Sequence, residues 1–376
     1  MLLCKRATLV LNQALIHNYA MRISLKNLNT SLYATLIGMT SQGMFLNRFN
    51  METFLKILTI KTHILYTHIA LLSILKLLPI NFSLKKIHYQ SLRAIRANNK
   101  FIQIFNETLF FHLCDSTWRL HPFYENQYTH SSRISCNNPN LQSFPSKNKF
   151  QSCLFPKYTN SIILGDFSSF ELRILAHLSQ DKKFITIFNS NLDPHNIVSM
   201  TLFGSTKHRE IAKEITYAIL YGMSTASLSR KISVSQSEAN KFISHFFQTY
   251  PAIHVFLTKI QKTSMSSNFS KTLLGHPYKI NPLIAPALKN IPIQGTAAEI
   301  IKATLINLDF SLSRFYKSFL VNMLHDEVII ECSIKDVDTL LPIIKSIMEN
   351  TERTILTSVA PKATIKTIYN TQSSFI

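Results

Sequence analysis

The sequence has no pair of cysteines at CxxC spacing. Its five cysteines, Cys4, Cys114, Cys136, Cys153 and Cys332, are scattered and odd in number. That argues against a zinc site or a disulfide framework, and for a reducing compartment. Acidic residues are also scarce. Lys and Arg number 40 against 20 Asp and Glu, a formal charge of +20, and no acid precedes Glu52. A surplus of this size points to a polyanionic partner, either nucleic acid or an anionic membrane surface. Codon bias in an AT-rich genome accounts for part of the lysine content, but not for the shortage of acids. Long hydrophobic runs are missing too. The apolar segment 54–82 is broken by Lys56, Lys61, His63, His68 and Lys76. Its longest run without lysine or arginine after His63, Ile64 to Leu75, is about 12 residues and still contains His68, short of the ~20 that a membrane span needs. Packed amphipathic helices are the better reading, with no membrane partner. Internal repeats and low-complexity tracts are absent.

A chain of 376 residues, 46% hydrophobic, is long enough for two or three subdomains. Residues 50–112 read as helical, and Arg93, Arg96 and Lys100 share one face there, either solvated or tracking a phosphate backbone. Residues 119–160 read as loops with short extended pieces. "SIILGDFSSFELRILAHLS" begins as a strand ending at Asp166 and continues as a helix. Residues 181–265 read as mostly helical. "FLVNMLHDEVIIECS" reads as two strands joined by a turn at His325-Asp326-Glu327, and 336–376 as a helix and a closing strand. The basic start, "MLLCKRATLVLNQALIHNYAMRISLK", reads as an organelle-targeting leader or as chance in an acid-poor chain.

Two features carry chemistry. In "HREIAKEITYAILYGMS", Arg209, Lys213, Tyr217 and Tyr221 recur every four residues, along one edge of a helix. Arg209 and Lys213 can grip one anion such as a polyphosphate, with Tyr217 and Tyr221 placed for the sugar and base. The alternative is an amphipathic helix with two surface cations and buried tyrosines. The second feature is a pair of carboxylates, Asp166 and Asp326, each embedded in an apolar strand context. Two such groups can hold two Mg²⁺, one activating a hydroxyl and one supporting a leaving phosphate.

These residues resemble a known family. "GDFSSFELRILAHLSQD", "REIAKEITYAILYGMS" and "LHDEVIIE" look like motifs A, B and C of the family A DNA polymerases, in the family's order. "THSSRISCNNPNLQSFP", "NIPIQGTAAEIIKATL" and "MTSQGMFLN" match further blocks, so the similarity covers about residues 36–370. "DFSSFELRILAHLS" and Tyr217 lean toward the eukaryotic theta and nu members. The resemblance implies an α+β right-hand fold with an antiparallel palm sheet, helical fingers and a helical thumb. It divides the chain into a leader or incomplete segment (1–35), thumb with its lead-in (36–118), palm with motif A (119–180), fingers with motif B (181–311) and palm with motif C (312–376).

It also implies roles. Asp166, Asp326 and the Phe167 carbonyl would be the metal ligands, for two Mg²⁺. Arg209 and Lys213 would hold the dNTP triphosphate, and Lys213 would protonate the leaving pyrophosphate. His195 would lie near the β-phosphate and Tyr217 would pack on sugar and base. Glu171 would sit under the sugar and exclude a 2′-hydroxyl, and Tyr221 would occupy the template-base site. Arg133 and Gln294 would contact the terminal base pair from the minor groove, and His325 the primer end. The expected partners are primer–template DNA and dNTPs, the expected state a monomer without proofreading, or a C-terminal fragment of a longer protein. The expected role is repair, lesion bypass or replication, and the expected location the nucleus, with a mitochondrion or other organelle as the alternative.

Departures from the family pattern fall mainly where primer–template DNA is gripped. Ser169 and Met323 replace glutamines, Ser132 replaces a glycine, "GHPY" stands for an arginine-rich block, 281–289 is short, and a Gly-x-x-Trp near the end is absent. Three readings follow: an active polymerase, a polymerase fold that binds DNA without extending it, or a metal-dependent phosphodiesterase. Arg209 and Lys213 speak against the last.

Overall fold

The computed structural model describes residues 25–45 and 48–74, parts of 91–102, residues 119–126, parts of 133–143 and 151–159, and 159–369 except 268, 280–289 and 325. Arg93, Lys100 and His325 therefore lie outside the described residues, as do 1–24 of the basic start.

The centre is a four-stranded antiparallel sheet, ordered β10 (Ala363–Tyr369), β5 (Asn160–Phe167), β9 (Glu327–Ser333) and β8 (Phe319–Leu324). β5 and β9 are near-continuous apolar runs because both faces of the sheet are covered along most of their length. Gly165 sets how closely one face is covered. A Cβ there would meet Met348 Sδ at 2.6 Å and Val328 Cγ2 at 3.0 Å, so helix α11 (Val337–Ile355) presses directly on β5. Side chains alternate along a strand, so Asp166 projects to the face away from α11. Glu327 belongs to β9 and pairs with Asp166. The turn expected at 325–327 is thus one residue shorter, and β5 runs one residue past Asp166 to Phe167.

Helix α10 (Ile291–Leu312) is buried on all sides, from Ile293 through Ala297, Ile301 and Leu305 to Leu312. A helix apolar all round belongs inside a core. It packs on α11, β8, α1 (Leu25–Gln42) and α3 (Phe170–Ser179). Its apolar circumference seats it in the sheet layer. α1 runs across the proposed boundary at residue 35. Leu32, Leu36 and Met39 are buried on one face, and Thr35 Oγ1 donates to Asp309 Oδ2 at 2.9 Å. Leu32 and Thr35 thus pack in the core, before residue 36. The short pair β1 (Met44–Phe45) and β2 (Arg119–Leu120) follows, with β3 (Phe123–Glu125) and β4 (Ser135–Asn137) beyond. α2 (Arg48–Ile74) is long, yet no helix among the described residues is long and apolar enough to cross a membrane.

Between α3 and α10 lie the helices expected from 181–265: α4 (Lys182–Asn189), α5 (Pro194–Phe203), α6 (Arg209–Leu220), α7 (Thr225–Ile232), α8 (Gln236–Thr249) and α9 (Pro251–Ser267). Their starts are written in the sequence. Asp181 caps α4, Asp193 followed by Pro194 caps α5, Ser224 caps α7, and Ser235 with Glu238 forms a capping box on α8. The hairpin β6 (Phe269–Lys271) and β7 (Pro277–Lys279) leads back to α10. Cys136 and Cys332 are buried free thiols.

Candidate active site

Asp166 and Asp326 come together by strand register. Asp166 is the penultimate residue of β5 and stands opposite Glu327, the first residue of β9. The backbone N–H of Phe167 donates to the carbonyl of Asp326 at 3.4 Å. Both aspartates are half-buried at the same end of neighbouring strands. Two carboxylates and adjacent carbonyls are hard oxygen donors, the chemistry that suits Mg²⁺. No cluster of three or more His, Cys, Asp or Glu suited to a metal occurs among the described residues. An ion held by two carboxylates would take its remaining ligands from water or from ligand oxygens.

After Phe167 the chain turns at Ser168 and Ser169 into α3. Ser169 takes φ 51°, in the left-handed region, and its carbonyl accepts from Leu172 N at 3.1 Å and Arg173 N at 3.1 Å. Phe167 and Phe170 stack at 4.5 Å. This tight reversal sets Glu171 in the first turn of α3, beside the strand end. Glu171 is held from two sides. Arg133 Nη2 donates to Oε1 at 2.7 Å, and the Tyr221 hydroxyl to Oε2 at 2.6 Å.

Helix α6 carries the four-residue ladder. Ala212, Ile215, Thr216, Ala218 and Ile219 are buried on one side, which leaves Arg209, Lys213, Tyr217 and Tyr221 along the edge. The rings of Tyr217 and Tyr221 stack at 6.0 Å with an 18° interplanar angle. The Tyr217 phenol is pushed up to about 12, by burial first and then by the charges of Glu171, Asp326 and Asp166. All three carboxylates thus lie within electrostatic reach of the phenol, which stays protonated. Burial first, and then Glu171, raise Tyr221 as well.

The other end of the ladder meets α5. His195 is 4% exposed, its ring lies 5.8 Å from that of Tyr217, and its Nδ1 is buried without a hydrogen bond. Burial pushes it down to about 4, against the pull of Asp193 and helped by Arg209 and Lys213, so it is neutral at pH 7. Lys213 makes no ion pair among the described residues. Arg209 does. Its Nε and Nη2 donate to Asp193 Oδ2 at 3.1 and 2.9 Å, and its Nη1 to Glu210 Oε1 at 2.6 Å. The Arg209 fork, expected to grip an anion together with Lys213, is held here by carboxylates.

One constellation thus gathers Asp166, Phe167, Asp326, Glu171, Arg133, Tyr221, Tyr217, His195, Arg209 and Lys213. Gln294 is half-buried in the first turn of α10, which packs on α3, but makes no side-chain hydrogen bond to the group. Sequence reasoning missed Asp193. Its Asp-Pro pair signals a helix start, but a partner 16 residues away leaves no local trace.

A family model for DNA polymerase family A matches residues 55–370, more than four-fifths of the chain. The chain belongs to DNA polymerase family A. DNA polymerase I of Lactococcus lactis (strain IL1403) is 30% identical over 253 residues, covering 61% of this chain and 29% of that protein. DNA polymerase I of Caldicellulosiruptor bescii is 31% identical over 256 residues, covering 62% of this chain and 30% of that protein. The family A chain thus spans less than a third of the length of these curated relatives. Among solved structures, the POL domain of Pol1 from M. smegmatis, in complex with DNA primer-template and dNTP, superimposes with a TM-score of 0.77. The match covers 90% of this chain and 69% of that one at 20% identity. The fold is the α+β polymerase fold of that family.

Proposed function

We propose that this chain is a DNA-directed DNA polymerase that adds dNMP from a dNTP to a primer 3′-hydroxyl. The observation that carries this reading is the meeting of the β5 and β9 ends, with their aspartates, and the polar edge of α6. Asp166, Asp326 and the Phe167 carbonyl would hold two Mg²⁺. When bound, these ions supply charge neutralisation on the phosphates and a more acidic primer hydroxyl. The protein's own residues position the reactants. Lys213 offers an ammonium for the triphosphate, and it would protonate the leaving pyrophosphate. His195, neutral and with a free Nδ1, offers an uncharged ring beside that phosphate track. The Tyr217 ring, within electrostatic reach of the carboxylates, would form the wall for sugar and base. Glu171 closes the site beneath the sugar, and Tyr221, tied to Glu171, stands where the template base would enter. Arg133 and Gln294 would reach the terminal base pair. Positioning and charge stabilisation carry most of such a reaction. Repair, lesion bypass or replication are the roles this activity would serve.

One observation favours a second reading, a polymerase fold that binds primer–template DNA without extending it. Met323, at a family glutamine position, is 3% exposed in β8 and cannot grip a strand.

Primer extension separates these readings. The parent should extend a primer, and Asp166→Ala and Asp326→Ala should each lose about a hundred- to a thousandfold, as loss of a group that stabilises transition-state charge does. Extension that survives Asp166→Ala refutes the metal assignment. Binding of primer–template without extension in the parent establishes the second reading.

A further inference from the structure

Asp193 is fully used. Its Oδ1 accepts from the backbone N–H of His195 at 2.8 Å and of Asn196 at 3.1 Å, capping α5. Its Oδ2 accepts two bonds from the guanidinium of Arg209, at 3.1 and 2.9 Å. One oxygen builds the helix that carries His195, and the other occupies the cation of the ladder. The pair is only partly shielded, with side chains 39% and 35% exposed. A ligand can therefore reach it from solvent. Burial pushes the Asp193 carboxyl up, but the Arg209 and backbone hydrogen bonds outweigh it and hold the group below its ordinary value, so it is ionised at neutral pH.

A guanidinium fork fits carboxylate and phosphate by the same planar geometry. An Arg held by two carboxylates on an otherwise basic edge is thus already bound to a substitute for its ligand. We propose that Asp193 is an internal stand-in for phosphate: the incoming triphosphate displaces it from Arg209, and it reclaims the guanidinium when pyrophosphate leaves. This rests on the nucleotide reading of the site. Each association then costs one ion pair, and each release regains it. Asp193 is a positioning and affinity-setting residue, not a catalytic one. Glu210, at 75% side-chain exposure, contributes little to the same exchange.

Asp193→Asn tests this cleanly, because asparagine caps a helix as well as aspartate does. The amide keeps Oδ1 for the cap and turns a donor toward Arg209, which breaks only the exchanged bond. A complex of the chain with primer–template DNA, the primer ending in a dideoxynucleotide so that no chemistry occurs, is titrated with the matching dNTP and with pyrophosphate in the presence of Mg²⁺. Asp193→Asn should tighten both by about two- to fivefold, the range for a partly exposed ion pair. Glu210→Gln should change either by less than about twofold. The gap between parent and Asp193→Asn should narrow at high salt, which a merely structural role would not produce. If Asp193→Asn binds both ligands with unchanged or weaker affinity while the parent binds them, the stand-in role is wrong and the nucleotide site survives. If the parent binds neither ligand, the nucleotide reading fails and the proposal fails with it.

Discussion

Arg173→Met should destabilise the protein in a pH-dependent way. Arg173 is 4% exposed on α3. Its Nε donates to the Ser168 carbonyl at 2.8 Å, its Nη1 to the Ala360 carbonyl, and its guanidinium lies 4.7 Å from the centre of the Phe188 ring. The same Nε stands 3.9 Å from Oε1 of Glu352, a carboxylate 1% exposed whose Oε1 accepts no hydrogen bond. Burial raises Glu352 from its ordinary 4.5 to about 7, opposed by the nearby Arg173. The folded state thus holds this proton more tightly than the unfolded state. The stabilisation from protonation is complete below about 4.5 and is lost as pH rises through about 7. Without Arg173 the carboxyl rises further. At pH 6 Glu352 is mostly protonated in parent and variant, and the variant loses two hydrogen bonds and the packing on Phe188, about 3 kcal/mol. At pH 8 the parent carboxylate is charged and paired, while the variant must bury it unpaired or bind a proton, at up to about 1.4 kcal/mol per pH unit. The loss should reach about 4–5 kcal/mol, the range for breaking a buried pair. Urea unfolding at pH 6, 7 and 8 measures this directly. A loss equal at all three values would mean that Arg173 acts through the carbonyls alone, and the charge argument would be wrong. Glu352→Gln in the Arg173→Met background should remove the pH dependence.

Two further substitutions probe other parts of the structure. Tyr217→Phe deletes a phenol within electrostatic reach of Glu171, Asp326 and Asp166, a group that in the proposed site would replace the hydrogen bond of a missing 3′-hydroxyl. Incorporation of dideoxynucleotides relative to deoxynucleotides should fall by about five- to tenfold, the worth of one hydrogen bond, and an unchanged ratio in competition assays would refute that role. Gly295→Ala would place a Cβ 2.6 Å from Thr272 Cγ2 and 3.0 Å from the Tyr278 hydroxyl, where the β6–β7 hairpin meets α10. β-branched Thr272 cannot swing aside, so thermal unfolding should show a cost of about 1–3 kcal/mol, and a neutral result would mean that the hairpin shifts freely.

The sequence showed the strand–turn–helix at Asp166, the hairpin at Asp326 and the ladder on α6, because each is a local pattern. Apolar runs of one period end at a polar residue or give way to another period, and the site lies at those changes. It did not show what crosses between segments. Arg173 reads as one residue of an apolar helix, yet it ties the Ser168 turn to Ala360 and Glu352, 187 and 179 positions away, near the chain's end. Glu171 reads as a first-turn acid suited to a helix N-terminus, yet its oxygens are taken by Arg133 and Tyr221. In α1 the spacing of Leu32, Leu36 and Met39 marks a buried helix face, but it directly follows a basic, acid-poor stretch that draws the eye first.

The ladder shows the difference most sharply. Spacing makes Arg209 and Lys213 equivalent, two cations one turn apart on one edge. The fold makes them unequal. Arg209 sits beside the start of α5, where Asp193 must present a carboxylate to cap the helix, and the guanidinium takes the spare oxygen. Lys213 is one turn further along and makes no ion pair with that carboxylate or with any other among the described residues. An anion arriving along this edge would meet, at Lys213, an ammonium with no ion pair among the described residues, and would have to win a planar fork from Asp193 at Arg209. Lys213 should govern the first capture of the anion, and the Arg209–Asp193 exchange how firmly it is then held.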